Sequence, residues 1–201
     1  MTIIEVNTIM MHHNFKLLGK ILDPSLFSEY VANSSELPVV RRRYGSTFNH
    51  AEGPHWLTYQ MIEGTTIGFL RNPDLHPALK QMVDIAIPIF EAMFQGRIPV
   101  NRAQISFTRN QGNVKLHTDE GSRTAAINIG LLNSTSSRVG VIASDGETMN
   151  EFMIKDGCGY LLNTSAYHKV EGDPKVVRYL LSYEFIQVQF ERLKDIIHGF
   201  D

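Results

Sequence analysis

Cysteine is nearly absent from this chain: Cys158 is the sole one, so no intrachain disulfide can staple the fold. That usage fits a reducing compartment. Cys158 stands in Gly157-Cys158-Gly159, between two predicted strands, and is read as a packing or turn residue. Long apolar runs are also missing, and no stretch suffices to span a bilayer. The N-terminus lacks a basic segment followed by an apolar run and a small-residue cleavage site. The expected location is cytoplasmic, with no membrane partner. Neither sign of charge dominates: 19 Lys and Arg stand against 21 Asp and Glu, a net charge of −2. Nothing in that balance calls for a nucleic-acid backbone as partner. Arg41-Arg42-Arg43 is the only dense basic cluster, and three arginines read as a solvated loop or strand edge.

What is present is an ordinary globular composition, 43% hydrophobic and 20% charged, over 201 residues. One domain spanning 1–201 is expected, with length ample for its own core. Its texture changes along the chain. Residues 1–100 mix helices with loops and read as a support region. Residues 102–186 read as short strands, and 187–201 as a C-terminal helix. Asp23-Pro24-Ser25 starts a helix through about Ala32, with aspartate as N-cap and proline at N1. Asn72-Pro73-Asp74 opens a longer one. Along it Leu75, Leu79, Met82, Val83, Ala86, Phe90 and Met93 recur at helical spacing, a stripe that should pack on the outside of a sheet. Pro88 should kink or split it, and Gly96 should stop it. Helical spacing returns in Gln187 to His198.

Eight strand candidates fill the second half: 103–109, 114–119, 123–132, 138–143, 150–154, 159–163, 167–171 and 176–186. Turn chemistry separates them at 133–137, at Ser144-Asp145-Gly146 and at Gly172-Asp173-Pro174. Short strands without crossover helices argue for an antiparallel sandwich or barrel. Eight can form a jelly roll whose two sheets enclose a pocket. The expected class is therefore mainly β with flanking helices around a double-stranded β-helix (jelly roll, cupin-like) core.

The chemistry concentrates in His117-Thr118-Asp119, with His168 and Arg178 downstream. Period two turns His117 and Asp119 to one face, so both can reach one metal ion. His168 from a distant strand would complete two imidazoles and one carboxylate. That set occupies one face of an octahedron and leaves open positions, which suits ferrous iron. Glu120 points the other way and is not counted as a ligand. Arg178 sits in the apolar run Val176-Val177-Arg178-Tyr179-Leu180-Leu181, where a buried charge needs a partner. Its guanidinium could hold a carboxylate with two parallel bonds.

Together these residues, with the stretch 117–133, resemble the Fe(II)/2-oxoglutarate-dependent dioxygenase superfamily. The spacing is similar to its prolyl 4-hydroxylase and aspartyl/asparaginyl hydroxylase branches. The resemblance covers roughly 102–186. It implies iron held by His117, Asp119 and His168, with 2-oxoglutarate and O2 as co-substrates. It implies Arg178 on the far carboxylate of 2-oxoglutarate. Asn128 and Arg123, on the strand after the metal motif, are candidate helpers at that co-substrate; Arg123 could equally form a surface ion pair. Some branches carry R-x-S on the last strand; here Ser182 follows Arg178 by four residues, on the same face but further along, and is the candidate second contact to the co-substrate. The implied reaction hydroxylates an unactivated C–H bond and releases succinate and CO2. The branches imply an amino-acid side chain as substrate, free or in a protein. Tyr44, Phe48, His55, Trp56 and Tyr59 are candidate residues at the pocket mouth. Two other classes stay open: a cupin-like metal enzyme that does not use 2-oxoglutarate, and a non-catalytic ligand-binding barrel.

Overall fold

The computed structural model describes residues 14–33, 61–63, 68–69, 77–94, 102–119 and 123–197. Eleven strands among them form two antiparallel sheets. The larger runs β1 (Phe15–Lys20), β9 (Cys158–Asn163), β6 (Arg123–Leu132), β11 (Val177–Ile186), β4 (Arg102–Gln111), β2 (Met61–Glu63) and β3 (Gly68–Phe69). The smaller runs β5 (Val114–His117), β10 (His168–Gly172), β7 (Ser137–Ile142) and β8 (Met149–Phe152). All eight strand candidates of the second half are present, within about two residues at each end. The jelly-roll expectation holds: a mainly β molecule, two facing sheets and few helices.

Alternation along the central strand β11 decides where the core lies. Tyr179, Leu181, Tyr183 and Phe185 turn to one side, where they are buried in the main apolar cluster. Arg178, Ser182 and Glu184 turn to the other side and are buried as well. Period two makes the two faces chemically distinct. The outer face is covered by α2 (Pro77–Met93), whose Met82, Val83, Ala86, Phe90 and Met93 enter the same cluster as Ile105 and Phe107 of β4. This is the packing expected of that stripe. Phe90 is its centre, with ring centroids 4.9 Å from Phe94 and 5.1 Å from Tyr183. The Tyr183 hydroxyl donates to the Ala86 carbonyl at 2.5 Å, tying sheet to helix. A smaller cluster of Val139, Val141, Ile154, Tyr160 and Leu162 lies on the inward faces of the two sheets. Cys158 packs against its edge, as a small apolar residue would. Gly157 before it needs its φ of 80° and its lack of a side chain, since a Cβ would fall 2.4 Å from the Leu22 carbonyl oxygen.

Of the two outcomes expected at Pro88, a kink or a split, the split does not occur: the helix runs unbroken from Pro77 to Met93. Its apolar stripe, anchored on the sheet, outweighs the hydrogen bond that proline removes. The stretch 1–100 is not only helix and loop, because β1, β2 and β3 come from it. β1 hides in the sequence because Gly19, at φ 70°, shifts its register on β9 and breaks the alternation. β2 and β3 are three and two residues long, too short for a periodic signal. The helix begun at Asp23 opens as a 3₁₀ turn over Pro24–Phe27 and continues as α1 (Ser28–Asn33). Asp23 caps it by accepting from the Ser25 amide at 3.0 Å. The C-terminal helix is shorter than expected, α3 (Phe190–Ile196). The proposed opening at Asn72, the stop at Gly96, the Arg41 cluster and the mouth residues Tyr44 to Tyr59 lie outside the described residues. Among the described residues no helix is long and apolar enough to cross a membrane.

Phe90→Ala should test the helix-on-sheet core. Phe90 is fully buried, so truncation should cost about 3–5 kcal/mol. Urea unfolding would show this as a lower midpoint at unchanged slope. A loss below about 1 kcal/mol would mean that the helix does not seat on this sheet.

Candidate metal centre

His117 is the last residue of β5, and β10 begins at His168. The antiparallel register sets the two residues opposite one another. Their ring centroids are 4.3 Å apart. Asp119 lies two residues beyond His117, on a backbone that has left the small sheet. There its amide donates to the Thr164 carbonyl at 2.9 Å. Thr164 is fastened in turn to the start of β6, through its hydroxyl to the Arg123 carbonyl at 3.1 Å. The loop after β9 thus brings Asp119 back over the two imidazoles. One ligand atom from each of His117, Asp119 and His168 lies within 4.8 Å of the others.

Hydrogen bonding sets how each ring is presented. Nδ1 of His117 lies 2.7 Å from the Lys115 carbonyl, and Nδ1 of His168 lies 2.9 Å from the Ala166 carbonyl. A carbonyl oxygen only accepts, so Nδ1 carries a proton in each ring and Nε2 is the atom that can ligate when the ring is neutral. Both rings are therefore set, by the same contact to residue i−2, in the tautomer a metal ligand needs. Oδ1 of Asp119 is buried and has no hydrogen-bond partner. Nε2 of His117 is 3.6 Å away, too far for a hydrogen bond. A buried carboxylate oxygen without a hydrogen bond beside two imidazoles is costly unless a cation sits there. The donor set and this orphaned oxygen fit one divalent metal ion.

Charge at the three groups follows their surroundings. Burial pushes Asp119 upward, but the His117 side chain and the Arg123 guanidinium outweigh it and hold the carboxyl down at about 2. The Asp119 side chain pushes His117 up, while burial pushes His168 down, toward its neutral form.

Arg178 is the second residue of β11 and is 3% exposed. Its Nη2 donates to the Gly112 carbonyl at 2.7 Å, and its Nε is buried with no partner. Among the described residues no carboxylate pairs with it, and burial lowers its pKa. Gly172 closes on it so tightly that a Cβ there would fall 2.8 Å from Cζ of Arg178 and 2.6 Å from the Gly112 carbonyl oxygen. Further along the same face, Ser182 donates to Oδ1 of Asn128 at 2.6 Å, the two being opposite in register. Asn128 also stands opposite Tyr160 of β9. Burial pushes the Tyr160 hydroxyl up to about 12, against the pull of the Asn128 side chain and Arg178.

Arg123 does not join Arg178. Nη2 bonds Oδ2 of Asp119, and Nη1 lies 2.6 Å from Oε1 of Glu184 on β11. Glu184 also accepts from the Ser106 hydroxyl at 3.0 Å. The sequence reading missed Glu184, Ser106 and Tyr160. Glu184 lies 61 positions after Arg123, a distance that carries no spacing rule. Alternation along β11 was the available signal, since it puts a second charged residue on the face of Arg178.

No protein-family model matches the chain, and no curated protein matches it in sequence. Solved structures do match in fold. A Pseudomonas putida prolyl-4-hydroxylase superposes with TM-score 0.51 at 15% identity, over 88% of this chain and 94% of that one. An oxidoreductase of the 2OG-Fe(II) oxygenase family from Burkholderia pseudomallei gives TM-score 0.54 at 15% identity, over 88% and 86%. HygX from Streptomyces hygroscopicus, solved with nickel and 2-oxoglutarate bound, gives TM-score 0.51 at 9% identity, over 87% and 83%. The chain therefore shares the fold of 2OG-Fe(II) oxygenases.

The Asp119 carboxyl sets a pH test on the metal-free protein. A carboxyl held at about 2 stabilises the fold fully above its unfolded pKa of about 3.9, and that contribution vanishes as pH falls toward 2. The metal-free protein should lose on the order of 2 kcal/mol more than an Asp119→Asn variant across that window. Parallel urea titrations at pH 5 and below would measure the difference. Equal losses in both proteins would place the acid sensitivity elsewhere.

Proposed function

We propose that the chain is an iron- and 2-oxoglutarate-dependent oxygenase that hydroxylates an unactivated C–H bond, releasing succinate and CO2. The observation that carries this is the inner face of the sheets. It holds an orphaned carboxylate oxygen beside two imidazoles at one place, and at another a buried arginine to which no described carboxylate is bonded. His117, Asp119 and His168 would hold the metal through Nε2, Oδ1 and Nε2. Arg178 would hold the far carboxylate of 2-oxoglutarate, its remaining N–H groups directed to the ligand while Gly112 fixes the rest. Tyr160, Asn128 and Ser182 lie on the same face and can line the co-substrate between its two ends. When bound, ferrous iron with 2-oxoglutarate supplies the oxygen activation; the protein orients the reactants and keeps water away.

The other two readings lack this support. A cupin-like metal enzyme without 2-oxoglutarate would have no use for a desolvated, uncompensated Arg178. A non-catalytic barrel would not need two tautomer-locked histidines around a bare carboxylate oxygen. The substrate class is carried by the resemblance alone: an amino-acid side chain, free or in a protein. A cytoplasmic location remains the expectation from the sequence.

Succinate formed from 2-oxoglutarate, dependent on Fe(II), is the deciding measurement. Wild type should form it slowly even without substrate, and Asp119→Ala should form none and retain no iron after anaerobic loading. Iron retained equally by both proteins would remove Asp119 from the site. Arg178→Met should bind Fe(II) normally but lose on the order of 10²-fold in 2-oxoglutarate affinity. Its metal-free form should unfold no earlier than wild type, because the substitution removes an unpaired buried charge. Gly172→Ala should weaken 2-oxoglutarate by displacing Arg178, about tenfold, at unchanged Fe(II) affinity. Both affinities follow from anaerobic titration of the visible charge-transfer band. If Arg178→Met leaves the 2-oxoglutarate affinity untouched, the carboxylate site lies elsewhere.

A further inference from the structure

Asp119 has two oxygens, and the structure treats them differently. Oδ1 is buried and bare between the imidazoles, while Oδ2 is bonded to Arg123. A carboxylate with both oxygens free can chelate a divalent ion through both. One whose second oxygen holds a charge-assisted bond can do so only by breaking it. Arg123 is itself held. Its other terminal nitrogen lies 2.6 Å from Oε1 of Glu184. Glu184 is 5% exposed and accepts from Ser106. Three strands thus contribute to one chain of contacts: Ser106 from β4, Glu184 from β11 and Arg123 from β6. It ends on the metal-facing carboxylate.

From this arrangement we propose that Arg123 is a positioning residue, which limits Asp119 to one ligating oxygen and keeps the second buried carboxylate, Glu184, away from the metal. The inference rests on the metal-site reading above. Its consequence is a count of open positions. Without Arg123, Asp119 and Glu184 would both lose the guanidinium that joins them. A divalent ion would then draw in the second oxygen of Asp119, or Glu184 itself, and each would fill a position that a bidentate co-substrate needs. Charge gives the direction. Loss of a nearby cation favours metal binding, while loss of open positions disfavours the co-substrate.

The test uses the full chain, metal-free, titrated anaerobically with Fe(II) and then with 2-oxoglutarate. Arg123→Met should bind Fe(II) within about threefold of wild type, or more tightly, and lose about tenfold or more in 2-oxoglutarate affinity. Arg123→Lys, which keeps a cation but not the two-pronged fork, should fall between the two. A merely structural role would move both affinities together, or neither, and either result would overturn the proposal. Should Arg123→Met fail to fold, Glu184→Gln keeps an acceptor for Arg123 and Ser106 but removes the anion. It leaves Asp119 as the guanidinium's remaining carboxylate partner, which draws that anion's charge from the metal, and should weaken Fe(II) about tenfold. Unchanged Fe(II) affinity in that variant would also overturn the proposal. Wild type that binds no Fe(II) would instead sink the metal-site reading itself, a result distinct from all of these.

Discussion

The pairing of β5 with β10 is the constraint on which the candidate site depends. It sets His168 opposite His117, so neither imidazole can be placed without the other. Because side chains alternate, a slip of one residue in either strand would turn one ring out of the barrel. The register is defended from both sides. β10 also pairs with β7 through five successive residues, from His168 opposite Val141 to Gly172 opposite Ser137. Each ring is then oriented by the carbonyl two residues before it, a contact made within its own chain segment. Strand pairing thus sets the separation of the imidazoles, and the local backbone sets their rotation.

A site of this kind needs a polar interior, and the fold permits one because its main core lies elsewhere. The outer face of the large sheet packs on α2, where Phe90, Phe94, Tyr183 and Phe185 meet in tilted and edge-on contacts. Apolar burial in that layer, at roughly 25 cal/mol per Å², stabilises the sheet from outside. The inner face is then free to carry Ser106, Asn128, Arg178, Ser182 and Glu184. Few of these would be tolerated in a sheet that relied on both faces for its apolar burial. β11 serves both layers at once. Its alternate residues hold the helix on one side and present the chemistry on the other.

How much of this could be read from the sequence follows the range of each interaction. The eight strands of the second half were legible because period two and turn residues are local signals. His117 and Asp119 were legible together because a strand translates a two-residue spacing into one face. The N-terminal strands were not. β1 is broken by Gly19, and β2 and β3 are too short to show a period. Glu184 was hidden for another reason. Its partners Arg123 and Ser106 come from two other strands, and only the tertiary register brings them together. Arg123 had been open between co-substrate and an ion pair. The structure sets it on two carboxylates, one of them Asp119 itself.

The two arginines of the inner face make the strongest argument about what the fold is built to receive. Burial opposes the charge of both. Arg123 is compensated in full, since Glu184 and Asp119 raise its pKa against that burial. Among the described residues Arg178 has only the Gly112 carbonyl, and burial lowers its pKa. A fold able to bring two carboxylates to one guanidinium brings none, among the described residues, to the other. A protein could relieve that cost with a methionine or leucine in the same strand. Here the charge is kept instead, desolvated and boxed by Gly172. A carboxylate ligand that completed it would recover that cost as affinity and selectivity.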